Sequence, residues 1–234
     1  MALLEVVALH AADAERAQAG GADRVELRGA LDADGRSPEP DVVAKARAAT
    51  SIQVRVLVRL RDGYGTDGGE ATRLRGLIHS YADAGADGMV LGFLNGLGKV
   101  DLEVVGALTA DGDWPWTFDR ALDSCLDQDS AWAALRRLPR LDQVLTAGSA
   151  RGVEHGLDEL VRRAGSDPWA AARIMAGGGL RTEHVPWLAR AGVRAFHVGS
   201  SVRPGGSPRA YVDPDLVRSW RTLIDTECRR ARPR

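Results

Sequence analysis

The sequence predicts a closed (β/α)8 barrel, and three observations carry that prediction. Eight short apolar, β-branched runs alternate with longer segments of helical period along 234 residues, the size and pattern of eight βα units joined by right-handed crossovers. Several helical segments reach a similar stop before the next strand, Gly20-Gly21-Ala22-Asp23, Gly85-Ala86-Asp87 and Gly192-Val193, where glycine fits the left-handed position past a helix end. No glycine-rich GxGxxG turn follows the first strand, because Ala8-Leu9-His10-Ala11-Ala12 leads straight into helix. That absence makes a doubly wound open sheet the less favoured alternative. The echoes recur at unequal spacing, unlike solenoid repeats.

Taken in order, each strand also predicts which side chains face the barrel axis, since successive residues point to opposite sides. In the first (residues 3–8) Leu4 and Val6 face the helices and Glu5 the axis. The second (24–28) turns Val25 and Leu27 outward and Glu26 inward. The third (52–59) sends Val54, Val56 and Val58 outward and Arg55, Leu57 and Arg59 inward. The fourth (88–93) is an apolar run. The fifth (114–119) turns Thr117 and Asp119 inward, and the sixth (142–146) is expected to turn Leu145 outward and Thr146 inward. The seventh (172–177) puts Met175 and Gly177 inside, and the eighth (195–199) puts His197 there. One barrel domain over residues 1–234 is expected, without an internal linker. Arg203 to Pro208 read as a loop before the last helix, and Arg229 to Arg234 as a fraying end.

The composition is that of a soluble globular chain, 44% hydrophobic and 27% charged, with 31 basic against 32 acidic residues and a formal charge of -1. So even a balance leaves no basic face for nucleic acid. No apolar run is long enough to span a bilayer, and Met1 to Leu9 enter strand-like sequence without a leader pattern. A cytoplasmic protein without nucleic-acid or membrane partners is expected. Cys125 and Cys228 are far apart and in no CxxC pairing, which fits a reducing compartment.

The inward polar residues gather near strand C-termini, where barrel enzymes of this architecture place their sites. Glu5, Glu26, Arg59, Asp119, Thr146 and His197 are therefore the candidate catalytic constellation. The competing reading is an interior ion-pair network that only fixes strand register, and in it Glu26 is expected to pair with Arg59 or Arg24. Glycine-bearing segments follow strands seven and eight, and loops there often hold phosphate through backbone N–H groups. Gly178, Gly179, Gly199, Ser200 and Arg203 are accordingly the candidate ligand-binding residues, against a plain tight turn. The segment Arg59-Leu60-Arg61-Asp62-Gly63-Tyr64-Gly65 is read as a lid or as a solvated connection. Trp132, Trp187 and Trp220 are expected to be packing residues.

At these positions the chain resembles the CutC family, named for copper homeostasis. The resemblance rests on Met1-Ala2-Leu3-Leu4-Glu5-Val6, Gly21-Ala22-Asp23-Arg24-Val25-Glu26-Leu27, Thr117-Phe118-Asp119-Arg120-Ala121-Leu122-Asp123, Val144-Leu145-Thr146-Ala147-Gly148 and Ile174-Met175-Ala176-Gly177-Gly178-Gly179, in that order. It implies a TIM barrel, a cytoplasmic homo-oligomer and a role in copper homeostasis or copper binding, and it adds Arg120 to the candidate catalytic residues. Asp119 stands where the family pattern has His, Arg59-Leu60-Arg61-Asp62-Gly63-Tyr64 departs from its loop, and Arg28 stands where some members carry Cys. The sulfurs, Cys125, Cys228, Met1, Met89 and Met175, form no cluster in sequence, so no metal ligands are assigned and copper rests on the family alone. The functional expectation is a CutC-like protein with a small-anion site at the C-terminal face. The alternative is an isomerase, aldolase or lyase acting on a small phosphorylated metabolite, without a Schiff-base lysine because Lys45 and Lys99 lie outside the strands.

Overall fold

The computed structural model describes residues 2–29 and 35–231. Strands β1 (Leu3–Ala8), β2 (Arg24–Leu27), β3 (Gln53–Leu57), β4 (Gly88–Leu91), β5 (Trp116–Phe118), β6 (Leu141–Thr146), β7 (Ile174–Ala176) and β8 (Ala195–Val198) close into a parallel barrel. Register places Glu5 of β1 opposite both Arg24 of β2 and His197 of β8. The (β/α)8 expectation is met. The helices are α1 (Ala11–Ala19), α2 (Pro40–Ala49), α3 (Gly68–Asp83), α4 (Leu102–Thr109), α5 (Gln128–Leu135), α6 (Val153–Ser166), α7 (Pro168–Arg173), α8 (Val185–Arg190) and α9 (Pro214–Arg230).

Local chemistry sets their ends. Asp67, Asp101, Asp127 and Asp213 accept backbone N–H groups of the first turns of α3, α4, α5 and α9, satisfying donors that have no partner inside a helix. Proline opens α2, α7 and α9, where its missing N–H costs nothing. Beyond α1, α3 and α8 the expected glycines take the left-handed conformation, Gly21 at φ 93°, Gly85 at 89° and Gly192 at 102°. Between β6 and β7 the chain forms two helices rather than one. Asp167 accepts from Trp169 and Ala170 at 3.0 and 3.2 Å, and Pro168 restarts the chain as α7.

Most strands end slightly earlier than the apolar runs suggest. Arg59 lies past β3, because its N–H donates to Ser37 Oγ and its carbonyl accepts from Ser37 N, both at 2.8 Å. β5 begins only at Trp116, after Pro115, which has no N–H to give to a ladder. α9 continues through Arg230, so Arg229 and Arg230 are helical rather than frayed, and residues 232–234 lie outside the described residues. Pro204–Gly206 forms a 3-10 turn inside the expected loop.

The apolar core has two compartments. The larger lies between barrel and helices and contains Val25, Val56, Trp116, Phe118 and Phe196. The smaller, inside the barrel, is made of Leu145, Met175 and Ala195, with Leu3 against it. Trp132 and Trp220 are buried as expected, but Trp187 is 56% exposed, with the Arg190 guanidinium 5.3 Å from its ring centre. No described helix is long and apolar enough to cross a membrane.

Candidate functional site

The lumen of the barrel holds a column of paired charges. At its lower end Asp142 accepts two hydrogen bonds from Arg55, at 3.2 and 2.6 Å. Arg24 comes within 3.7 Å of the same carboxylate and donates from Nε to Glu5 at 2.5 Å. Glu5 in turn lies 2.7 Å from His197 Nδ1. Glu26, 3.5 Å from the same ring nitrogen, accepts from Arg28 Nε at 2.7 Å and Arg28 Nη2 at 3.0 Å. Asp119 pairs with Arg59 and accepts the Ala121 N–H at 2.9 Å. Glu5, Glu26, Asp119, Arg59 and His197 are all buried. The structure therefore brings together five of the six residues selected by strand parity.

Burial by itself would push the Glu5 carboxyl up, but the Arg24 charge and the hydrogen bonds from His197 and Arg24 hold it at about 2. Asp119 moves upward, because its burial outweighs the charge of Arg59. Glu5 is thus an anion at neutral pH that orients the His197 ring. His197 Nε2 has no hydrogen-bond partner among the described residues, and the ring lines the cavity described below.

Three expectations are corrected. Thr146 is not in the lumen. On β6 it is Leu145 that points to the axis, packing on Met175 and Ala195, while Thr146 faces outward and donates to Asp123 at 2.6 Å. Arg203 is not in the ligand pocket. It is buried behind the loop, donating to Asp13 at 2.7 Å and to the Val7 carbonyl at 3.1 Å. Glu26 pairs with neither Arg59 nor Arg24, each of which has another carboxylate. In the segment after β3, Arg61 bonds Asp67 and lies 2.6 Å from Glu70, while Arg59 lies 4.6 Å from the Tyr64 ring centre.

The loops after β7 and β8 do meet. Gly178, Gly179, Gly199 and Ser200 line one cavity of about 330 Å³, together with His197 and Arg28. The backbone N–H groups of Gly178, Gly179, Leu180, Gly199, Ser200 and Ser201 donate to no acceptor among the described residues. Only short 3-10 turns, Ser200–Val202 and Thr182–His184, follow these strands closely. The donors are loop amides rather than the end of a long helix. Gly178 has φ 87°, and a Cβ there would stand 2.6 Å from Arg120 Nε. The Arg120 guanidinium lies against that backbone, donating to Asp123 at 2.9 Å and to the Ala150 carbonyl at 3.2 Å.

Sequence reasoning passed over Arg28 as the partner of Glu26 and Arg24 as the partner of Glu5, although the alternation that turns Glu26 inward turns both arginines inward as well. Asp142 and Asp123 were also passed over. Asp123 sits in a 3-10 turn, Arg120–Ser124, and carried no periodic signal.

The donors fit copper poorly. Cys125 and Cys228 are buried in different parts of the chain, and burial pushes the Cys125 thiol up to about 11. Met175 Sδ accepts from Arg24 at 3.5 Å, and Met1 lies outside the described residues. Soft-ligand Cu(I) finds no sulfur cluster among the described residues. Glu5, Glu26 and His197 offer ligand atoms within 4.8 Å of one another, but Arg24 and Arg28 already occupy those carboxylates and add positive charge beside any cation.

Comparison with known proteins points one way. The model of the CutC family matches residues 2–202. A family protein CutC of Klebsiella pneumoniae (strain 342) is 34% identical over 234 residues, covering 94% of this chain and 92% of the relative. One from Xanthomonas campestris pv. campestris (strain 8004) is 36% identical over 203 residues, covering 84% and 82%. Among solved structures, CutC from Streptococcus agalactiae, whose name refers to copper homeostasis, superposes with a TM-score of 0.75 at 26% identity, covering 85% of this chain and 98% of that one. Thiamine phosphate pyrophosphorylase from Pyrococcus furiosus, with a TM-score of 0.60 at 16% identity and 96% of each chain covered, shares the fold.

Proposed function

The chain belongs to the CutC family, and from that premise we propose that it serves copper homeostasis by binding a small anionic ligand at the C-terminal face of the barrel, rather than by holding copper itself. The observation that carries this reading is the set of six loop amides, without acceptors among the described residues, around a cavity that His197 and Arg28 also line. Backbone donors fixed to rigid strands need little reorganisation to receive phosphate or a carboxylate, and glycine lets the ligand come close. The His197 ring, held through Nδ1 by Glu5 at 2.7 Å, lines the cavity and leaves Nε2 to hydrogen-bond the ligand.

Calorimetric titration of the full chain with inorganic phosphate tests the reading. Saturable binding is expected, weakened about tenfold or more in His197→Ala, as for the loss of one charged hydrogen bond. Absence of binding at tens of millimolar, on the order of the weakest useful affinity, would overturn it. The same reading takes the chain to be a cytoplasmic homo-oligomer. The exposed Leu97 and Leu126, 69% and 85% accessible and close together through the Leu126 N–H to Gly98 carbonyl bond, favour a covered face. A monomer mass in light scattering counts against it.

A further inference from the structure

Next to the loop cavity lies a second, smaller one of about 40 Å³, lined by Arg59, Tyr64, Asp119 and Arg120 over Leu57 and Leu145. Arg28 lines both. Arg120 also belongs to the boundary, since its guanidinium rests on Gly178 of the larger cavity. Arg28 and Arg120 each keep an N–H group to spare among the described residues. Arg28 uses Nε and Nη2 on Glu26, and Arg120 uses Nε and Nη2 on Asp123 and Ala150, which leaves Nη1 of both without an acceptor among the described residues. Neither guanidinium is sealed off, for the side chains are 15% and 28% exposed.

A space of 40 Å³ is too small for a phosphoryl group and large enough for one or two oxygen atoms, a water taking roughly 30 Å³ of liquid. Its spare groups are donors, so what they lack is an acceptor oxygen. The larger cavity, at about 330 Å³, is at the lower end of the range for small-molecule sites and suits a short ligand.

We infer that the ligand is a short phosphomonoester with a carboxylate or carbonyl oxygen at its far end, the phosphate among the loop amides and the acceptor oxygen between Arg28 and Arg120. This rests on the anion reading of the site and goes beyond it by naming the ligand's second anchor. A guanidinium bonded to Glu26 or Asp123 is already oriented, so little side-chain freedom is lost when the oxygen arrives. An alkyl tail in the same place would leave both spare N–H groups without a partner and cover polar surface for no return.

The test is calorimetric titration of the full chain with four probes: inorganic phosphate, propyl phosphate, 3-phosphoglycerate and dihydroxyacetone phosphate. The last two separate the carboxylate from the carbonyl. At least one is expected to bind about tenfold or more tighter than propyl phosphate, and in Arg120→Met that ratio is expected to fall to about twofold or less. Arg120→Met is the variant of choice because Asp123 keeps its bonds to Thr146 and to the Ala147 amide. If phosphate and propyl phosphate bind and neither oxygenated probe gains over propyl phosphate, this inference is wrong while the anion site stands. If a gain survives unchanged in Arg120→Met, the second anchor lies elsewhere and the inference is again wrong. If no probe binds, the anion reading falls and takes this one with it.

Discussion

Glu5 sits between Arg24 and His197 with its carboxyl held at about 2, below the ordinary 4.5. A depressed carboxyl favours folding above its unfolded value, and that contribution is lost as pH falls from about 4.5 toward 2. Asp119 and Asp123 shift the other way through burial, so their share of stability is present in acid and declines as pH rises through their folded values. Glu5→Gln is therefore expected to cost on the order of 3 kcal/mol near neutrality, with the gap to the native chain closing toward pH 2. Urea unfolding across that range checks it, and a constant gap would mean that only packing had been lost. Glu26 is expected to show coupling above roughly 1 kcal/mol with Arg28 in a double-mutant cycle and near-additivity with Arg59. Arg203, paired with Asp13 at 2.7 Å in the interior, is expected to cost about 3 to 5 kcal/mol when replaced by Ala and to leave phosphate affinity unchanged. A fall in affinity in a folded Arg203→Ala chain would return it to the site.

At the scale of elements, the left-handed stops carry a measurable cost of their own. Gly192 has φ 102°, and the nearest atom to an added Cβ is Ala171 Cβ at 4.0 Å, so Gly192→Ala introduces backbone strain with almost no clash. It is expected to lower stability by about 1 kcal/mol and the melting temperature by roughly 2 to 4 °C. An unchanged melting temperature would show that the turn relaxes freely. These stops were legible because glycine is the residue that tolerates that conformation. The facing of β6 was not legible. Val144-Leu145-Thr146 gives no polar contrast until its end, and what turns Thr146 outward is Asp123, a buried carboxylate from the preceding unit that needs the hydroxyl and the Ala147 amide. The division of α6 from α7 was written in Asp167-Pro168, a capping residue followed by a helix starter, but it lies inside a region expected to hold one helix.

At the scale of the molecule, the distribution of sulfur gives a prediction about copper. Cys125 lies between β5 and α5 and Cys228 on α9, and burial raises both thiols above their ordinary range, which disfavours the thiolate that Cu(I) requires. Anaerobic titration against a Cu(I) chelator is expected to show no stoichiometric withdrawal of copper by the chain, and Cys125→Ser to behave as the parent. Stoichiometric withdrawal lost in Cys125→Ser would overturn this.

The eight βα units, their order and the inward facing of Glu5, Glu26, Arg59, Asp119 and His197 can be read from the chain alone, because alternation and helical period are local properties that burial then enforces. It also carried the meeting of the loops after β7 and β8, since closing eight parallel strands brings their C-terminal ends together. Which charge pairs with which is settled in the packed barrel. Glu26 takes Arg28, just past the end of its own strand, rather than Arg59, Arg203 turns back to Asp13 across 190 residues of chain, and Thr146 leaves the lumen for Asp123. Each choice depends on distances of a few ångströms inside the closed barrel. Every buried charge must find a neutralising partner in the space available, and that balance is settled by the packed barrel as a whole.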